Sequence, residues 1–426
     1  MLSDKPCIEG GRLFQAVVPG IGEWAVNAGL TGMREIDILR GVCQRLTEAG
    51  MPLTRANLVM DTLHPLHEGR LFLWRPAESG REEIIEVGHV ESRRSLREVW
   101  LRSPFYHVRQ SGLHMMRWRL GEPDADAFTV FTELREEGHT DYAILVERFT
   151  EAGAIGEMDC IMGSWATSRP EGFADDELEA LARLFPVLAL AVKSSALQRI
   201  AGTLVETYLG RDAGRRVLSG RIERGIADRM RAVIWFSDLR GFTRITDTAA
   251  PEAIIPFLNA YADAIVSSIH DAGGDVLKLI GDGTLAVFHA QDASVACGKA
   301  LDAANAAHAR IGELNAQRSS EGLPVTEAYL GLHIGDVFYG NIGSSDRLDF
   351  TVIGPAVNMA SRISVMCRSV ERNILMSSAF MAEVPAEARD GIVSVGRFAL
   401  RGFDQGQELY TILAAPPDED KDRGVA

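Results

Sequence analysis

The sequence predicts an α+β protein with two domains joined by a helical connector. At 426 residues the chain is too long for one ordinary core. Strand-like and helix-like segments alternate in both halves, and a long stretch with helical spacing separates the halves. We expect a first domain over residues 1–175, a connector over 176–230, a second domain over 231–415 and a disordered tail over 416–426.

The composition narrows the class of protein. The formal net charge is −15, which argues against a nucleic-acid binder or a basic membrane-surface protein, because both need a cationic face. The five cysteines are scattered without a CxxC pair, which favours a reducing compartment over a zinc or disulfide framework. No signal peptide is visible, and the longest apolar run, Leu184 to Val192, is short for a membrane span. We therefore expect a cytoplasmic protein with no membrane or nucleic-acid partner.

The first domain begins with a predicted helix over 34–50, which ends at Gly50 and Pro52. Strand-like runs follow, over 55–61, 69–75, 83–89, 141–149 and 156–167. The segment SRPEGFADDELEAL, residues 168–181, then indicates a loop and an acidic helix start. This order, and the closing strand, loop and helix in particular, is similar to a GAF-type sensory domain. No ligand motif identifies an input signal, and a purely structural dimerisation domain remains the alternative.

The connector carries apolar residues three or four apart from about 175 to 209, which predicts a long helix with a possible bend at Pro186. Two interpretations fit it equally, a parallel two-helix stalk between dimeric domains or a single helix capping the first domain. Residues 210–230 are rich in Gly and Arg and indicate a linker.

The second domain shows a sharper pattern. A β-branched and aromatic strand starts at Arg231 and ends in Ser237-Asp238. The segments that follow are, in order, a helix over 251–270, a hairpin over 273–288, a helix over 292–315, a strand over 327–343, a strand-to-helix passage over 349–363 and late strands over 392–401 and 407–413. Strand–helix–strand–strand–helix–strand is the ferredoxin-like order.

Two aspartates stand where this order brings strands together. Asp238 ends the first strand and Asp282 lies in the hairpin turn, so both can meet at one sheet edge. Paired carboxylates beside a Gly-containing turn suit magnesium and triphosphate chemistry, in which two ions clamp the attacking and leaving oxygens. Each aspartate alone could equally be a helix cap or a turn residue, so the hypothesis depends on both.

Asn358 and Arg362 are four residues apart, so they share a face of the helix that opens after Gly354-Pro355. An amide and a guanidinium there suit the orientation of a sugar and the neutralisation of a phosphorus centre that gains charge.

Several long motifs together resemble the class III adenylate/guanylate cyclase catalytic domain: FSDLRGFT from Phe236, LKLIGDG from Leu277, FTVIG from Phe350 and VNMASR from Val357. The resemblance covers about 231–413. It implies conversion of a nucleoside triphosphate to a cyclic nucleotide and pyrophosphate, with two Mg²⁺ or Mn²⁺ ions per site.

The resemblance also implies roles for single residues. Asp238 and Asp282 match the metal-binding aspartates, with the Leu239 carbonyl a further ligand. The backbone of Leu239, Arg240, Gly241, Phe242 and Thr243 would hold phosphates. Asn358 matches the residue that orients the ribose, and Arg362 the residue that stabilises the α-phosphate in the transition state. Arg401 resembles a late basic residue that reaches the triphosphate in trans.

Base selection can be argued from chemistry. Lys278 matches the base-recognition lysine, and an ammonium group can donate to adenine N1 but not to guanine N1–H. Thr351 falls at the second base position and can accept from the adenine amino group. Threonine there is typical of the subgroup that includes bicarbonate-responsive bacterial cyclases. ATP is therefore the expected substrate, and bicarbonate sensitivity remains open.

In this family the metal aspartates come from one protomer and the lysine, asparagine and arginine from the other. All are present in this chain, which predicts a homodimer with active sites at the subunit interface. The expected function is that of an adenylate cyclase regulated by its N-terminal domain. The alternatives are a weak or inactive cyclase-like module that senses nucleotides or drives dimerisation, and a guanylate cyclase.

Overall fold

The computed structural model describes residues 10–76, 83–88, 98–122, 128–149 and 158–413. The expected disordered tail over 416–426 lies outside these residues, as does Cys7. The chain divides into two compact units, Met1–Leu204 and Val205–Ala426.

The described residues of the first unit form one six-stranded antiparallel sheet, in the order β3-β2-β1-β6-β5-β4. Its elements are α1 (Gly10–Leu30), α2 (Glu35–Glu48), β1 (Arg55–Asp61), β2 (His67–Trp74), β3 (Glu83–Gly88), α3 (Pro104–Ser111), β4 (Met115–Arg119), α4 (Thr129–Glu136), β5 (Asp141–Arg148), β6 (Cys160–Thr167) and α5 (Asp175–Leu209), whose last five residues belong to the second unit.

Helices cover both faces of this sheet. On one face α1, α2 and α5 pack an aliphatic core around Trp165. On the other face an aromatic cluster forms around Trp118, Phe131 and Tyr142. Every residue of β6 is buried, because a central strand with both faces covered has no solvent side.

The predicted helix over 34–50 and the five predicted strands of this unit are confirmed, with ends that differ by a few residues. Helix α5 is also confirmed and continues through Pro186. The sequence interpretation missed α1, α3, β4 and α4. The last three are short and lie in the polar, aromatic-rich middle of the unit, where no period stands out.

By length and composition alone, α5 is the one helix among the described residues that could cross a membrane. In the most apolar 18-residue stretch of α5, 56% is buried inside the protein. This is the pattern of a helix that packs in a core.

The second unit contains an eight-stranded sheet. Its elements are α6 (Arg211–Leu218), β7 (Ala227–Leu239), α7 (Phe242–Thr248), α8 (Pro251–Asp271), β8 (Asp275–Ile280), β9 (Gly283–His289), α9 (Ala293–Ser320), β10 (Ala328–Gly343), β11 (Leu348–Ile353), α10 (Pro355–Val370), β12 (Ile374–Ser377), α11 (Ser378–Glu383), a 3₁₀ turn (Ala386–Ala388), β13 (Ile392–Phe398) and β14 (Gln407–Ile412).

The ferredoxin-like order is confirmed. Strands β10, β7, β9 and β8 are neighbours in that order, and each pair is antiparallel. Strand β12 adds to β10 in parallel and continues the sheet through β14 and β13, while β11 pairs with β10 outside this path.

Alternate residues of β7 face two different cores. Val233 and Trp235 point into the core that α8 and α9 cover. Ala232 and Ile234 point to the opposite face, where α6, β11 and α10 pack. Asp238 continues the second series, so it ends the strand on the face that also carries α10.

The structure differs from the sequence interpretation at several places in this unit, and the short helices α7 and α11 were not predicted. Strand β7 begins at Ala227, four residues before the expected start of the domain at 231. The expected linker over 210–230 contains helix α6, and the short strand β12 was missed. Helix α6 has strongly amphipathic spacing, but its eight residues are too few to stand out among the surrounding glycines.

Candidate active site

The carboxylates of Asp238 and Asp282 meet where β7 ends beside the β8–β9 hairpin. Strand β7 pairs with β9 as far as Ser237 opposite Thr284, which brings the hairpin turn next to the end of β7. The backbone N–H of Leu239 donates to Asp282 Oδ2 at 3.3 Å. The two aspartates, far apart in sequence, are therefore brought together by strand pairing, as the fold order predicts.

The electrostatics of this pair disfavour two negative charges. Burial and the hydrogen-bonding carboxyl group of Asp282 raise the pKa of Asp238 to about 6, and the backbone N–H of Leu239 only partly opposes that rise. A bound cation would offset the repulsion between the two carboxylates and favour their ionised forms.

Gly283 explains why the turn can approach β7 so closely. A Cβ atom at this position would lie 2.9 Å from the Ser237 carbonyl oxygen and 3.5 Å from Asp238 Oδ1. Only glycine leaves that space free, so the residue after Asp282 sets the approach of the two carboxylates.

The donor set fits a hard divalent cation that keeps several non-protein ligands. Among the described residues, no group of three or more His, Cys, Asp and Glu side chains could hold a metal. Two carboxylates thus make up the side-chain share of the site. Mg²⁺ is commonly bound by one or two carboxylates together with water and substrate phosphate oxygens, so this pair is enough to hold it.

Lys278 lies on β8, in the same hairpin as Asp282. It pairs with Leu285 across the hairpin, and its Nζ forms an ion pair with Asp349 of β11. Thr351 lies two residues further along β11, so it shares a strand face with Asp349. The two residues expected to read the base are therefore on the same side of the fold, with Asp349 beside them.

Asn358 and Arg362 lie on the exposed face of α10. Within the part of the chain that the structure describes, neither side chain has a hydrogen-bond or ion-pair partner, so neither is bonded to the two aspartates. Ala360 and Ile363 of the same helix are fully buried, which fixes the orientation of the exposed face.

The remaining predicted residues lie at the end of β7, at the start of α7 and in turns. Leu239 is the buried last residue of β7, Arg240 and Gly241 form the turn, and Phe242 and Thr243 begin α7. Arg240 is held in this turn by Glu327, through an ion pair of 3.2 Å and the backbone bond Arg240 N–H to Glu327 C=O. Arg401 is exposed in the turn between β13 and β14, away from any partner that the described residues supply.

The sequence interpretation missed two acidic residues. Asp349 pairs with Lys278, and Glu327 pairs with Arg240. Asp349 could have been found from the two-residue period of the DFTVIG strand, which places it on the face of Thr351. Glu327 gave no such signal, because its contact depends on the end of one strand meeting the turn after another.

Comparison with known proteins agrees with this geometry. Residues 227–414 match the family of the adenylate and guanylate cyclase catalytic domain. The chain is 33% identical over 198 residues to an adenylate cyclase of Anabaena cylindrica, which covers 45% of this chain and 39% of that protein. It is 28% identical over 202 residues to adenylate cyclase 1 of Rhizobium meliloti, covering 46% of this chain and 29% of that protein.

Among solved structures, the adenylyl cyclase CyaB from P. aeruginosa is similar at 27% identity and a TM-score of 0.41, covering 45% of this chain and 98% of that chain. The chain spans well under half the length of the two curated relatives.

Residues 227–414 are therefore similar to the catalytic domain of adenylate and guanylate cyclases. Class III cyclases in general use divalent metal ions.

Proposed function

We propose that this protein is an adenylate cyclase that converts ATP to 3′,5′-cyclic AMP and pyrophosphate. The observation that carries the proposal is the contact of Asp238 with Asp282, with Lys278 on the same hairpin. In a homodimer, this hairpin would supply a cation site to one active site and a base-recognition donor to the other. The reaction is the in-line attack of the ribose 3′-oxygen on the α-phosphorus, and pyrophosphate leaves.

Asp238 and Asp282 would hold two Mg²⁺ or Mn²⁺ ions, with the Leu239 carbonyl as a further ligand. Bound ions supply charge neutralisation on the phosphates and activation of the attacking oxygen. The backbone from Leu239 to Thr243 follows directly and would face the β- and γ-phosphates.

Asn358 and Arg362 would orient the ribose and neutralise the charge that grows on the α-phosphate. Their exposure and the lack of partners in the described chain support this role, because neither donor has to be released before it binds substrate. Arg401 would reach the triphosphate from the partner subunit.

Lys278 and Thr351 would select the base. Lysine donates to adenine N1, and threonine accepts from the adenine amino group. Guanine reverses the partner of Lys278, since its N1–H is a donor, whereas the Thr351 hydroxyl can donate to guanine O6 as well as accept; the choice of base therefore depends chiefly on Lys278. A site that leaves buried polar groups unpaired rejects the wrong base strongly. Activation by bicarbonate is part of this proposal only because Thr351 resembles the threonine of bicarbonate-responsive bacterial cyclases.

The active site would be completed by a second copy of the chain. Cyclase domains of this family act as dimers on nucleotide substrates. Within the described part of one chain, Asn358 and Arg362 on the exposed face of α10 form no hydrogen bond or ion pair with the aspartates. A homodimer would bring this face of one protomer to the aspartates of its partner and create two equivalent sites.

The first unit would act as a GAF-like sensory domain that regulates the cyclase. The observed element order supports the GAF-like assignment: two helices, three strands, the segment α3–β4–α4, two more strands and a closing helix. Helix α6 supports a mechanical link, because it is fixed to the cyclase sheet. Arg216 of α6 bonds Asp212 at 2.7 Å and Asp228 of β7 at 2.9 Å, and its guanidinium lies 4.9 Å from the Tyr339 ring centroid.

The deciding experiment measures turnover of ATP and of GTP by the purified chain with Mg²⁺ or Mn²⁺. We expect cyclic AMP, with ATP preferred. A clear preference for GTP would favour the guanylate cyclase, and no product with either nucleotide would favour an inactive module. A variant that begins at Val205 tests regulation, which predicts a changed specific activity; an unchanged rate would favour a structural first domain.

A further inference from the structure

We propose that Asp349 is a positioning residue that holds Lys278 in the orientation needed to read adenine. This inference rests on the proposed function, and it adds a specificity determinant that the motifs alone do not supply. It begins from the ion pair between Lys278 Nζ and Asp349 Oδ2.

The pair joins two strands that are not neighbours in the sheet. Strand β8 lies at the sheet edge, whereas β11 pairs with β10, three strands away in the order β10-β7-β9-β8. Strand β11 can reach across because Phe350 and Val352 are buried in the core on this face, with the Phe350 ring against Tyr339 at 4.8 Å. The intervening residues of β11 then face away from that core.

This arrangement fixes Asp349 more firmly than it fixes Lys278. The aspartate has a short side chain on a strand anchored by two buried neighbours. Lysine has four rotatable methylene groups, whose ordering is costly. The side chains of Lys278 and Asp349 are 37% and 44% exposed. Without the ion pair, the ammonium group would therefore be free to move in solvent. The carboxylate therefore determines where the ammonium group lies.

The ion pair helps base recognition because Asp349 accepts only one of the three N–H bonds of the Lys278 ammonium group. An ammonium group has three N–H donors, so two remain when Asp349 accepts one. Thr351 lies about 7 Å further along the same face of β11, by the usual rise of a strand. A base that accepts at N1 from Lys278 can thus donate its amino group towards the strand that carries Thr351.

Asp349 also affects which base would be tolerated. A carboxylate is an acceptor, and guanine presents donors at N1 and at its 2-amino group. Paired with Lys278, this acceptor is engaged and unavailable to guanine. Replacement of Lys278 by glutamate alone would place two carboxylates together, which is unfavourable at this distance. A change of specificity to GTP at this site would therefore also require Asp349 to change.

The test compares Asp349→Asn and Asp349→Glu with Asp346→Asn, a matched loss of one exposed carboxylate in the β10–β11 loop. We expect Asp349→Asn to raise the KM for ATP about 3- to 10-fold, with kcat changed much less, and to reduce the ATP-to-GTP ratio of kcat/KM by a similar factor. Asp349→Glu should retain most of the preference, and Asp346→Asn should match the parent chain.

A double-mutant cycle decides whether Asp349 acts through Lys278. In a Lys278→Ala chain, Asp349→Asn should have no further effect on base preference. Equal effects in both backgrounds, or an Asp349→Asn chain that matches Asp346→Asn, would overturn the proposal. Melting temperatures of all variants distinguish a loss of folding from a loss of selectivity.

Binding of 3′-deoxy-ATP and 3′-deoxy-GTP, measured by calorimetry, separates this inference from the proposed function. These nucleotides lack the attacking oxygen, so their affinities do not depend on turnover. If the parent chain makes no cyclic nucleotide, the proposed function fails. A selective loss of 3′-deoxy-ATP affinity in Asp349→Asn would still support the role of Asp349, and unchanged affinities would refute it.

Discussion

At the scale of single residues, Asp238 and Asp282 show how a pair of carboxylates suited to bind a cation lowers the stability of the protein when no cation is bound. The pKa of Asp238 is raised from 3.8 to about 6. The folded chain therefore holds this proton to higher pH than the unfolded chain does. The stabilising contribution of protonated Asp238 decreases as the pH rises from about 4 through 6 and is absent above that range.

Replacement Asp238→Asn removes this loss. Without divalent cations at pH 8, we expect the variant to unfold at a higher temperature than the parent chain. The gain is on the order of 1 kcal/mol, because solvent reaches Asp238 and screens the repulsion. The two chains should converge near pH 4, and Mg²⁺ or Mn²⁺ should stabilise only the parent. Asp247→Asn, at an exposed position of α7, is the control. Lower stability of Asp238→Asn in a chelator at pH 8 would contradict this account.

His333 on β10 is a second titratable residue with a measurable consequence. Burial lowers its pKa from 6.5 to about 4, and its Nδ1 lies 2.8 Å from the Ser377 hydroxyl oxygen, which also accepts from the Phe380 N–H. The neutral imidazole is thus the form that fits the fold. The contribution of neutral His333 to the free energy of unfolding is fully present above pH 6.5 and is lost as the pH falls towards 4.

We expect His333→Gln to lack this part of the acid sensitivity. Between pH 7 and pH 4.5 the parent should lose about 2 to 3 kcal/mol more than the variant in the free energy of unfolding. Urea titrations followed by ¹⁹F NMR of fluorotryptophan report on the second unit, because Trp235 is the one tryptophan in residues 205–426. Parallel pH curves for the two chains would show that His333 makes no such contribution.

At the scale of secondary-structure elements, the sequence predicts what depends on period and order. The long helices and the ferredoxin-like strands have clear periods, and their order alone brings Asp238 to Asp282. The pairing of Lys278 with Asp349 could not be predicted in this way, because it depends on how far β11 reaches across the sheet. Elements of four to eight residues, such as β12 and α6, were missed because a short window contains too few residues to establish a period.

Helix α10 shows how a glycine on a neighbouring strand positions candidate catalytic residues. A Cβ atom at Gly331 of β10 would lie 2.3 Å from the Ala360 carbonyl oxygen and 2.6 Å from the Ser364 nitrogen. Only glycine at this position allows the backbone of α10 to lie so close to the sheet. The distance between them determines where Asn358 and Arg362 project.

Gly331→Ala should therefore push α10 away from the sheet. We expect a loss of stability of about 1 to 3 kcal/mol and a fall in kcat that exceeds the change in KM. Gly312→Ala on α9 is the matched control, since nothing lies within 4 Å of the added methyl group. That control should gain up to about 1 kcal/mol, because alanine is the better helix former. Normal kcat in a folded Gly331→Ala chain would show that the exact placement of α10 is unimportant.

At the scale of the whole molecule, one chain supplies both halves of the proposed site but does not join them. Asp238 and Asp282 lie where β7 ends beside the β8–β9 turn, and Asn358 and Arg362 lie exposed on α10 with no hydrogen bond or ion pair to them in the described residues. Two copies related by a two-fold axis would each provide what the other lacks. Specific activity should accordingly fall when the protein is diluted below its dimer dissociation constant.

Mixing two inactive chains tests this geometry directly. Asp282→Ala and Arg362→Ala remove residues from opposite halves of the proposed site. After subunit exchange at equal concentrations, half of the dimers contain one chain of each kind, and one of their two sites is intact. The mixture should therefore recover about a quarter of the parent activity. Asp282→Ala mixed with Asp238→Ala is the control and should recover none, because both changes affect the same half. If the first mixture is no more active than its separate components, the site does not span two subunits.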